Sequence, residues 1–180
     1  MNAVDLLKRL QQHRAWVNGN LLAAAAQLSE GQLQSPFQIG QGSIWKSLTH
    51  LYAAEYVWLE ALLGNEGSLV PGDVPGKLPG NQLGEGGVTD LNDLRQKWST
   101  LELRWSNYLA SLTPESLDEV VYRRGSSTGQ RFGTRRGDVL LHVCTHAHYT
   151  AAQVINMLRQ SGVEKLPETM LISLARQKAK

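Results

Sequence analysis

This sequence of 180 residues has very little cysteine, no long apolar run and only a small excess of positive charge. The single cysteine, Cys144, excludes an internal disulfide and fits a reducing compartment, so we expect a cytoplasmic protein. No apolar stretch approaches the roughly 20 residues that cross a bilayer. The first residues also lack the basic and apolar regions of an export signal. The sequence therefore predicts no membrane partner.

The formal net charge of +2 is too small to favour nucleic acid as a partner. Five arginines do occur close together, interleaved with glycine, serine and threonine: Arg123, Arg124, Arg131, Arg135 and Arg136. They belong either to a solvated loop or to an anion-attracting rim beside a pocket, and the pattern leaves both interpretations open. The five tryptophans are spaced along predicted helices, which is more typical of a core and a pocket wall than of a nucleic-acid surface.

Apolar residues recur every three or four positions in four long segments, which predicts four amphipathic helices. The segments cover residues 4–28, 44–63, 91–112 and 136–160, and a shorter amphipathic segment covers 170–175. Ser43 is the expected N-cap of the second helix, and Thr89 or Asp90 that of the third. Because no repeat or linker interrupts the pattern, we expect one domain over residues 1–180, built as a helical bundle.

Two segments between the helices have a different composition. Residues 64–88 contain three prolines, many glycines and few apolar residues, so we expect a long loop that is either a slack connector or a lid. Residues 119–123 and 130–134 are β-prone runs on either side of a turn rich in glycine and serine, which predicts a hairpin. A single hairpin among long helices is an appendage to the bundle.

The predicted fourth helix carries the residues with the clearest chemistry. His142 and His146 are four positions apart and share one helix face, the spacing by which a helix offers two imidazoles to one metal ion. His148 lies roughly 200° round the helix from His146 and is not expected to join them. His50, on the second helix, is the candidate for a ligand from another helix. Glu55 could be a ligand, an acceptor for an imidazole N–H or a general base.

Zinc, nickel and ferrous iron all accept imidazole ligands. The same spacing also suits histidines that are only core or pocket residues, so the residues alone leave metal binding open. For His13 and His148 we expect surface or packing roles, and for Cys144 that of a buried structural thiol.

Three segments resemble the DinB-like (DinB/YfiT) superfamily. Residues 42–64, with the motifs GSI, LTH, AE and WL, resemble the second helix of that family. Residues 141–162, with LHV, TH and MLRQSG, resemble its fourth helix, and residues 167–176 resemble the ending of many members. The resemblance implies an all-α four-helix bundle of up-down-down-up topology, with the hairpin before the last long helix and a short C-terminal helix. It also implies a homodimer and a long crossover between the second and third helices, which suits residues 64–88.

The resemblance further implies a divalent metal, nickel or zinc, bound by one histidine on the second helix and two on the fourth. By their positions in the resembling segments, His50 and His146 match two of these ligands, and the third position holds Thr150, a poor ligand. Three alternatives follow. In the first, the metal is bound by His142 together with His50 and His146. In the second, it is bound by His50 and His146, and water, Glu55 or a thiol substrate completes the ligand set. In the third, metal binding is lost and a pocket remains.

Characterised members of the family include transferases and isomerases that depend on bacillithiol or mycothiol. The resemblance therefore implies a metal-dependent thiol S-transferase with a small-molecule substrate. In this hypothesis His50, His142 and His146 hold the metal and Glu55 orients or shuttles a proton. The alternative hypothesis, favoured by Thr150, is a non-catalytic small-molecule-binding or stress-associated bundle with a relic metal site.

Overall fold

The computed structural model describes residues 1–177. Its helices and strands, in chain order, are α1 (Ala3–Ala25), α2 (Glu30–Gln34), α3 (Ile44–Leu62), α4 (Leu91–Ala110), a 3₁₀ turn (Glu115–Asp118), β1 (Val120–Arg124), β2 (Arg131–Arg135), α5 (Arg136–Gln160) and α6 (Leu171–Gln177). This order confirms the predicted bundle with a hairpin before the last long helix and a short C-terminal helix. None of the helices in the described part of the chain combines the length and hydropathy that a bilayer span requires.

The four long helices pack in a ring. α5 contacts both α1 and α3, and α4 contacts the same two helices, so α4 and α5 lie on opposite sides of the bundle. The centre is filled by side chains that are almost completely buried, among them Trp98 and Trp105 of α4, Leu48 and Leu51 of α3, and Leu140 of α5. Two of the five tryptophans are therefore core residues, as the helical spacing predicted.

The N-caps show why the helices begin where they do. The Ser43 hydroxyl accepts a hydrogen bond from the Lys46 N–H at 3.1 Å, and the Asp90 carboxylate accepts from the Asn92 N–H at 2.8 Å. Ser29 begins α2, in a capping box with Gln32. The periodicity could not predict α2, because five residues make little more than one turn and show no repeat.

A polar network crosses the middle of the bundle. Arg14 of α1 is 3% exposed, and its guanidinium donates two parallel hydrogen bonds of 2.7 Å to Glu102 of α4. It also forms an ion pair with Glu55 of α3. The Glu55 carboxylate accepts further hydrogen bonds from Asn18 at 2.8 Å and from the Trp98 indole at 3.0 Å. Helices α1, α3 and α4 are thus joined by charged groups as well as by apolar packing.

The loop between α3 and α4 is ordered by hydrogen bonds of its own. The Asp73 carboxylate accepts from the backbone N–H groups of Gly80 at 2.6 Å and Gln82 at 2.9 Å. The Gly76 N–H donates to the Ser126 carbonyl of the hairpin turn at 3.1 Å. The loop is therefore fixed to the rest of the molecule, which corrects the expectation of a slack connector.

The hairpin is attached to the same loop. Its strands pair antiparallel from Val120 opposite Arg135 to Arg124 opposite Arg131. The Arg124 N–H donates to the Glu66 carbonyl at 2.8 Å, and the Arg131 guanidinium donates two hydrogen bonds of 2.8 Å to the Glu66 carboxylate. The observed strands lie within one residue of the predicted ones, and together with the loop they lie against α3 and α5.

Candidate metal centre

Three histidine rings come together between α3 and α5, and we call His50, His142 and His146 the histidine site. The centroid of the His146 ring lies 5.3 Å from that of His50 and 5.9 Å from that of His142. Two imidazoles that bind one tetrahedral metal ion through nitrogens at about 2.1 Å have ring centroids roughly 5 to 5.5 Å apart. The His50–His146 pair has this separation.

His142 stands slightly farther away, and its side chain is exposed. As the side chains stand, no three His, Cys, Asp or Glu residues within the described residues 1–177 are arranged to hold one metal ion. The His50–His146 pair fits a shared ion, and a turn of the His142 side chain is needed to add the third imidazole.

The orientation of His50 is set by the loop between α3 and α4. The Nδ1 atom of His50 lies 2.7 Å from the Pro79 carbonyl oxygen. Because a carbonyl can only accept, Nδ1 carries the proton and Nε2 keeps its lone pair. A histidine that donates one ring N–H to a carbonyl and offers the other nitrogen is the arrangement found at metal sites.

Gly80 allows the loop to approach His50 so closely. Its φ angle is +85°, and a Cβ atom at this position would lie 2.5 Å from the His50 Cα and 2.6 Å from the His50 nitrogen. Any side chain at residue 80 would therefore push the Pro79 carbonyl away from the imidazole.

His146 is kept neutral by its surroundings. Burial, followed by repulsion from any proton on the neighbouring imidazoles of His50 and His142, lowers the pKa of His146 to about 4. At neutral pH the ring therefore has a free lone pair, which is the form that binds a metal.

Trp58 and Arg123 form the wall beside His142. The rings of Trp58 and His142 meet edge to face with centroids 5.2 Å apart, and the Arg123 guanidinium lies 5.0 Å from the centroid of the Trp58 ring. Burial, followed by the positive charge of Arg123, lowers the pKa of His142. The sequence named Arg123 only as one of five clustered arginines that form either a solvated loop or an anion-attracting rim, and it assigned no individual role to Trp58. The signal in the sequence was the alternation of β1, which places Arg123 on the same face as Val121.

Comparison with known proteins identifies the fold family. The model of the DinB family matches residues 1–178. The chain belongs to the DinB family. Among solved structures, YfiT from Bacillus subtilis is similar with a TM-score of 0.61 and 19% sequence identity over 87% of each chain. YfiT is described as a probable metal-dependent hydrolase with an unusual four-helix bundle topology. At this identity the likeness shows a common fold. No curated protein matches the sequence.

Thr150 occupies the position where the DinB family resemblance implied a third ligand. Its side chain is 3% exposed, on the buried face of α5. His142 lies one turn before His146 along α5, and Thr150 lies one turn after it. The structure places His142 near the His50–His146 pair. The geometry thus favours His142 over residue 150 as the third candidate ligand in this DinB protein.

Glu55 is not placed where the sequence led us to expect it. Its side chain is 1% exposed, and its oxygens accept hydrogen bonds from Arg14, Asn18 and Trp98 in the core. A carboxylate occupied by three donors from α1 and α4 is not available to ligate a metal ion or to accept from an imidazole N–H. We therefore correct the expected catalytic role of Glu55 to one in holding the bundle together.

Cys144, His13 and His148 lie away from the histidine site, as expected. They line a cavity of about 470 Å³ between α1 and α5. His13 is held by its Nε2 atom, which lies 2.7 Å from the Thr169 carbonyl oxygen. Burial raises the pKa of Cys144 to about 12, so this thiol is unreactive at neutral pH. The Cys144 side chain is half-buried.

Proposed function

We propose that His50, His142 and His146 bind one divalent metal ion, zinc or nickel, and that the protein transfers a low-molecular-weight thiol to a small electrophilic substrate. The observation that carries the proposal is the separation of 5.3 Å between the His50 and His146 rings, which come from two different helices. The description of YfiT as a probable metal-dependent enzyme supports it.

The protein's own groups prepare the site for this chemistry. The Pro79 carbonyl holds the His50 ring in one orientation and leaves Nε2 free. The low pKa of His146 keeps its lone pair available. A bound divalent ion would act as a Lewis acid and lower the pKa of a thiol, so that the nucleophilic thiolate is present at neutral pH.

A second candidate function is that of a metal-free small-molecule-binding protein. The observations that favour it are Thr150 at the family's third ligand position and the absence, within residues 1–177, of three side chains already arranged around one ion. In this case the three histidines are pocket residues, and chelators leave the thermal stability unchanged.

The test is the metal content per chain, measured by plasma mass spectrometry on tag-free protein. We expect about one ion in the wild type and in His148→Ala, a control that removes a histidine of the same helix outside the site. We expect strong loss of metal in His50→Ala, His146→Ala and His142→Ala. No metal in the wild type after incubation with zinc or nickel would replace the proposal with the second candidate.

The reaction class is tested separately on the metal-loaded protein. We expect consumption of an electrophile such as an activated halide only when a low-molecular-weight thiol is present, and a loss of this activity in His146→Ala. A loaded protein that is inert toward a panel of thiols and electrophiles would exclude the transferase assignment while leaving the metal site intact.

A further inference from the structure

Arg123 differs from the other arginines of the hairpin region in the direction of its side chain. β1 alternates between the two faces of the hairpin, with Val121 buried and Arg123 half-buried on the face toward α3. Val120, Tyr122 and Arg124 on the other face are exposed. The guanidinium of Arg123 is thus placed against Trp58 of α3, beside the histidine site.

Three of the neighbouring arginines form ion pairs with carboxylates, whereas among the described residues Arg123 and Arg124 form none, and of these two only Arg123 is half-buried. Arg131 pairs with Glu66, Arg135 with Asp138, and Arg136 with Glu119. Among the described residues, Arg123 has no carboxylate within ion-pair distance and no side-chain hydrogen bond. Its contact is the Trp58 ring, whose centroid lies 5.0 Å from the guanidinium carbon.

A half-buried guanidinium without an anion is unfavourable, because burial removes water from a charge and from five N–H donors. Burial lowers the pKa of Arg123, which reports the same loss of solvation. An anionic group from outside the protein would relieve this cost by binding the open fork of the guanidinium.

We propose that Arg123, held over Trp58, binds an anionic oxygen group, a carboxylate or a phosphate, of the ligand that enters the histidine site. The proposal rests on the proposed function in placing this anion next to the metal ligands, and it adds the substrate class: a small molecule with at least one negative charge. Trp58 holds the guanidinium by a cation–π contact, and the N–H donors, which bind no acceptor among the described residues, are left for the anion.

The experiment is isothermal titration calorimetry with two probes, succinate for carboxylates and inorganic phosphate, on protein as purified and with the metal content of each sample recorded. The test variant is Arg123→Gln. The matched control is Arg124→Gln, which removes the same charge from the next residue of the strand, on its exposed face. Arg123→Lys keeps the positive charge and loses the forked N–H donors of the guanidinium. Circular dichroism confirms that each variant is folded.

We expect saturable binding of one of the probes to the wild type, unchanged in Arg124→Gln and weakened about tenfold or more in Arg123→Gln, with Arg123→Lys between them. The probe that binds more tightly identifies carboxylate or phosphate as the group recognised. Absence of saturable binding of both probes to the wild type, or equal weakening in the Arg123 and Arg124 variants, would overturn the proposal.

The metal measurements separate this proposal from the proposed function. We expect Arg123→Gln to keep the metal content of the wild type, since a guanidinium is not a ligand. If the protein holds metal but shows no anion binding that depends on Arg123, the proposed function stands and this inference is rejected. If the wild type binds the anion without holding metal, and Arg123→Gln loses this binding, the inference stands and the metal site is rejected.

Discussion

Arg14 places a positive charge in the centre of the bundle, where it is shared by two carboxylates. Burial alone would lower the pKa of this group, but the charges of Glu55 and Glu102 outweigh it and raise the pKa above the ordinary value. When both carboxylates are ionised, the group of three side chains has a net charge of −1. Burial and repulsion by Glu102 raise the pKa of Glu55 to about 7 although Arg14 opposes this. The network thus favours the charged form of Arg14 and disfavours the charged form of Glu55.

Removing the cation leaves the buried carboxylate of Glu55 and the half-buried carboxylate of Glu102 without their partner. We expect Arg14→Met to lower the free energy of unfolding by about 3–5 kcal/mol, because unpaired buried charges are strongly destabilising. Urea denaturation followed by circular dichroism measures the change. The control is Arg9→Met on the same helix, where the guanidinium hydrogen-bonds to Gln12 at the surface, with an expected change within about 0.5 kcal/mol. Equal small effects of both substitutions would show that Arg14 is dispensable.

The raised pKa of Glu55 makes the stability depend on pH. Between pH 4.5 and 7 the unfolded chain releases this proton while the folded protein keeps it, so the free energy of unfolding falls as the pH rises through this window. We expect the wild type to lose stability relative to Glu55→Gln from pH 5 to 7, by up to about 3 kcal/mol. Urea denaturation of both proteins at half-unit pH steps gives the difference. A difference that is constant with pH would contradict the raised pKa.

At the scale of elements, the loop between α3 and α4 and the hairpin act as one cover over the histidine site. The loop positions His50 through the Pro79 carbonyl, and the hairpin brings Arg123 to Trp58. The sequence predicted the bounds of both segments to within one or two residues, because turn residues and β-prone runs are local signals. Their contact with each other was not predictable, because it depends on single hydrogen bonds such as that from Gly76 to Ser126 across 50 positions of the chain.

The close approach of the loop can be tested at Gly80. Gly80→Ala and Gly76→Ala both place a side chain at a positive φ, which is unfavourable by about 1–2 kcal/mol. Only residue 80 would also meet backbone atoms, since nothing lies within 4 Å of a Cβ at residue 76. We expect Gly80→Ala to lose about 1–3 kcal/mol more stability than Gly76→Ala in urea denaturation.

The same pair of variants reports on the histidine site. Displacement of the Pro79 carbonyl releases His50, and loss of such a partner typically weakens metal binding by about 10–100-fold. We expect this weakening in Gly80→Ala and wild-type affinity in Gly76→Ala, measured by competition with a chromogenic chelator. Equal affinities in the two variants would mean that the loop does not position His50.

At the scale of the whole molecule, one apolar face is not covered by any of the described residues 1–177. Two neighbouring cavities of about 470 and 490 Å³ share Leu10, Leu141 and Leu171 of α1, α5 and α6. Leu141 is 43% exposed and Leu171 is 39% exposed. The rim of the second cavity carries both signs of charge, Arg9 and Arg135 with Asp118 and Asp138. A face with apolar centre and mixed charges is complementary to a second copy of itself, as a two-fold dimer requires.

We therefore predict that this face forms the homodimer that the family resemblance implied. Light scattering coupled to size-exclusion chromatography should give twice the monomer mass for the wild type and the monomer mass for Leu141→Glu, because a carboxylate would be buried at the interface. Leu103→Glu on α4, at a leucine that is 67% exposed, is the control and should stay dimeric. A monomeric wild type, or a dimeric Leu141→Glu, would contradict the prediction.

The sequence by itself determined the four long helices, the cap at Ser43, a cap at Thr89 or Asp90, the hairpin and the pairing of His142 with His146 on one helix face. These features follow from periodicity, capping and turn chemistry, which act over a few residues. Only the tertiary structure decided that Glu55 faces Arg14 in the core, that Pro79 holds His50 and that Arg123 lies beside Trp58. Each of these depends on which helix face meets which neighbour. That choice is made by the burial of the whole core and is not encoded in any local pattern.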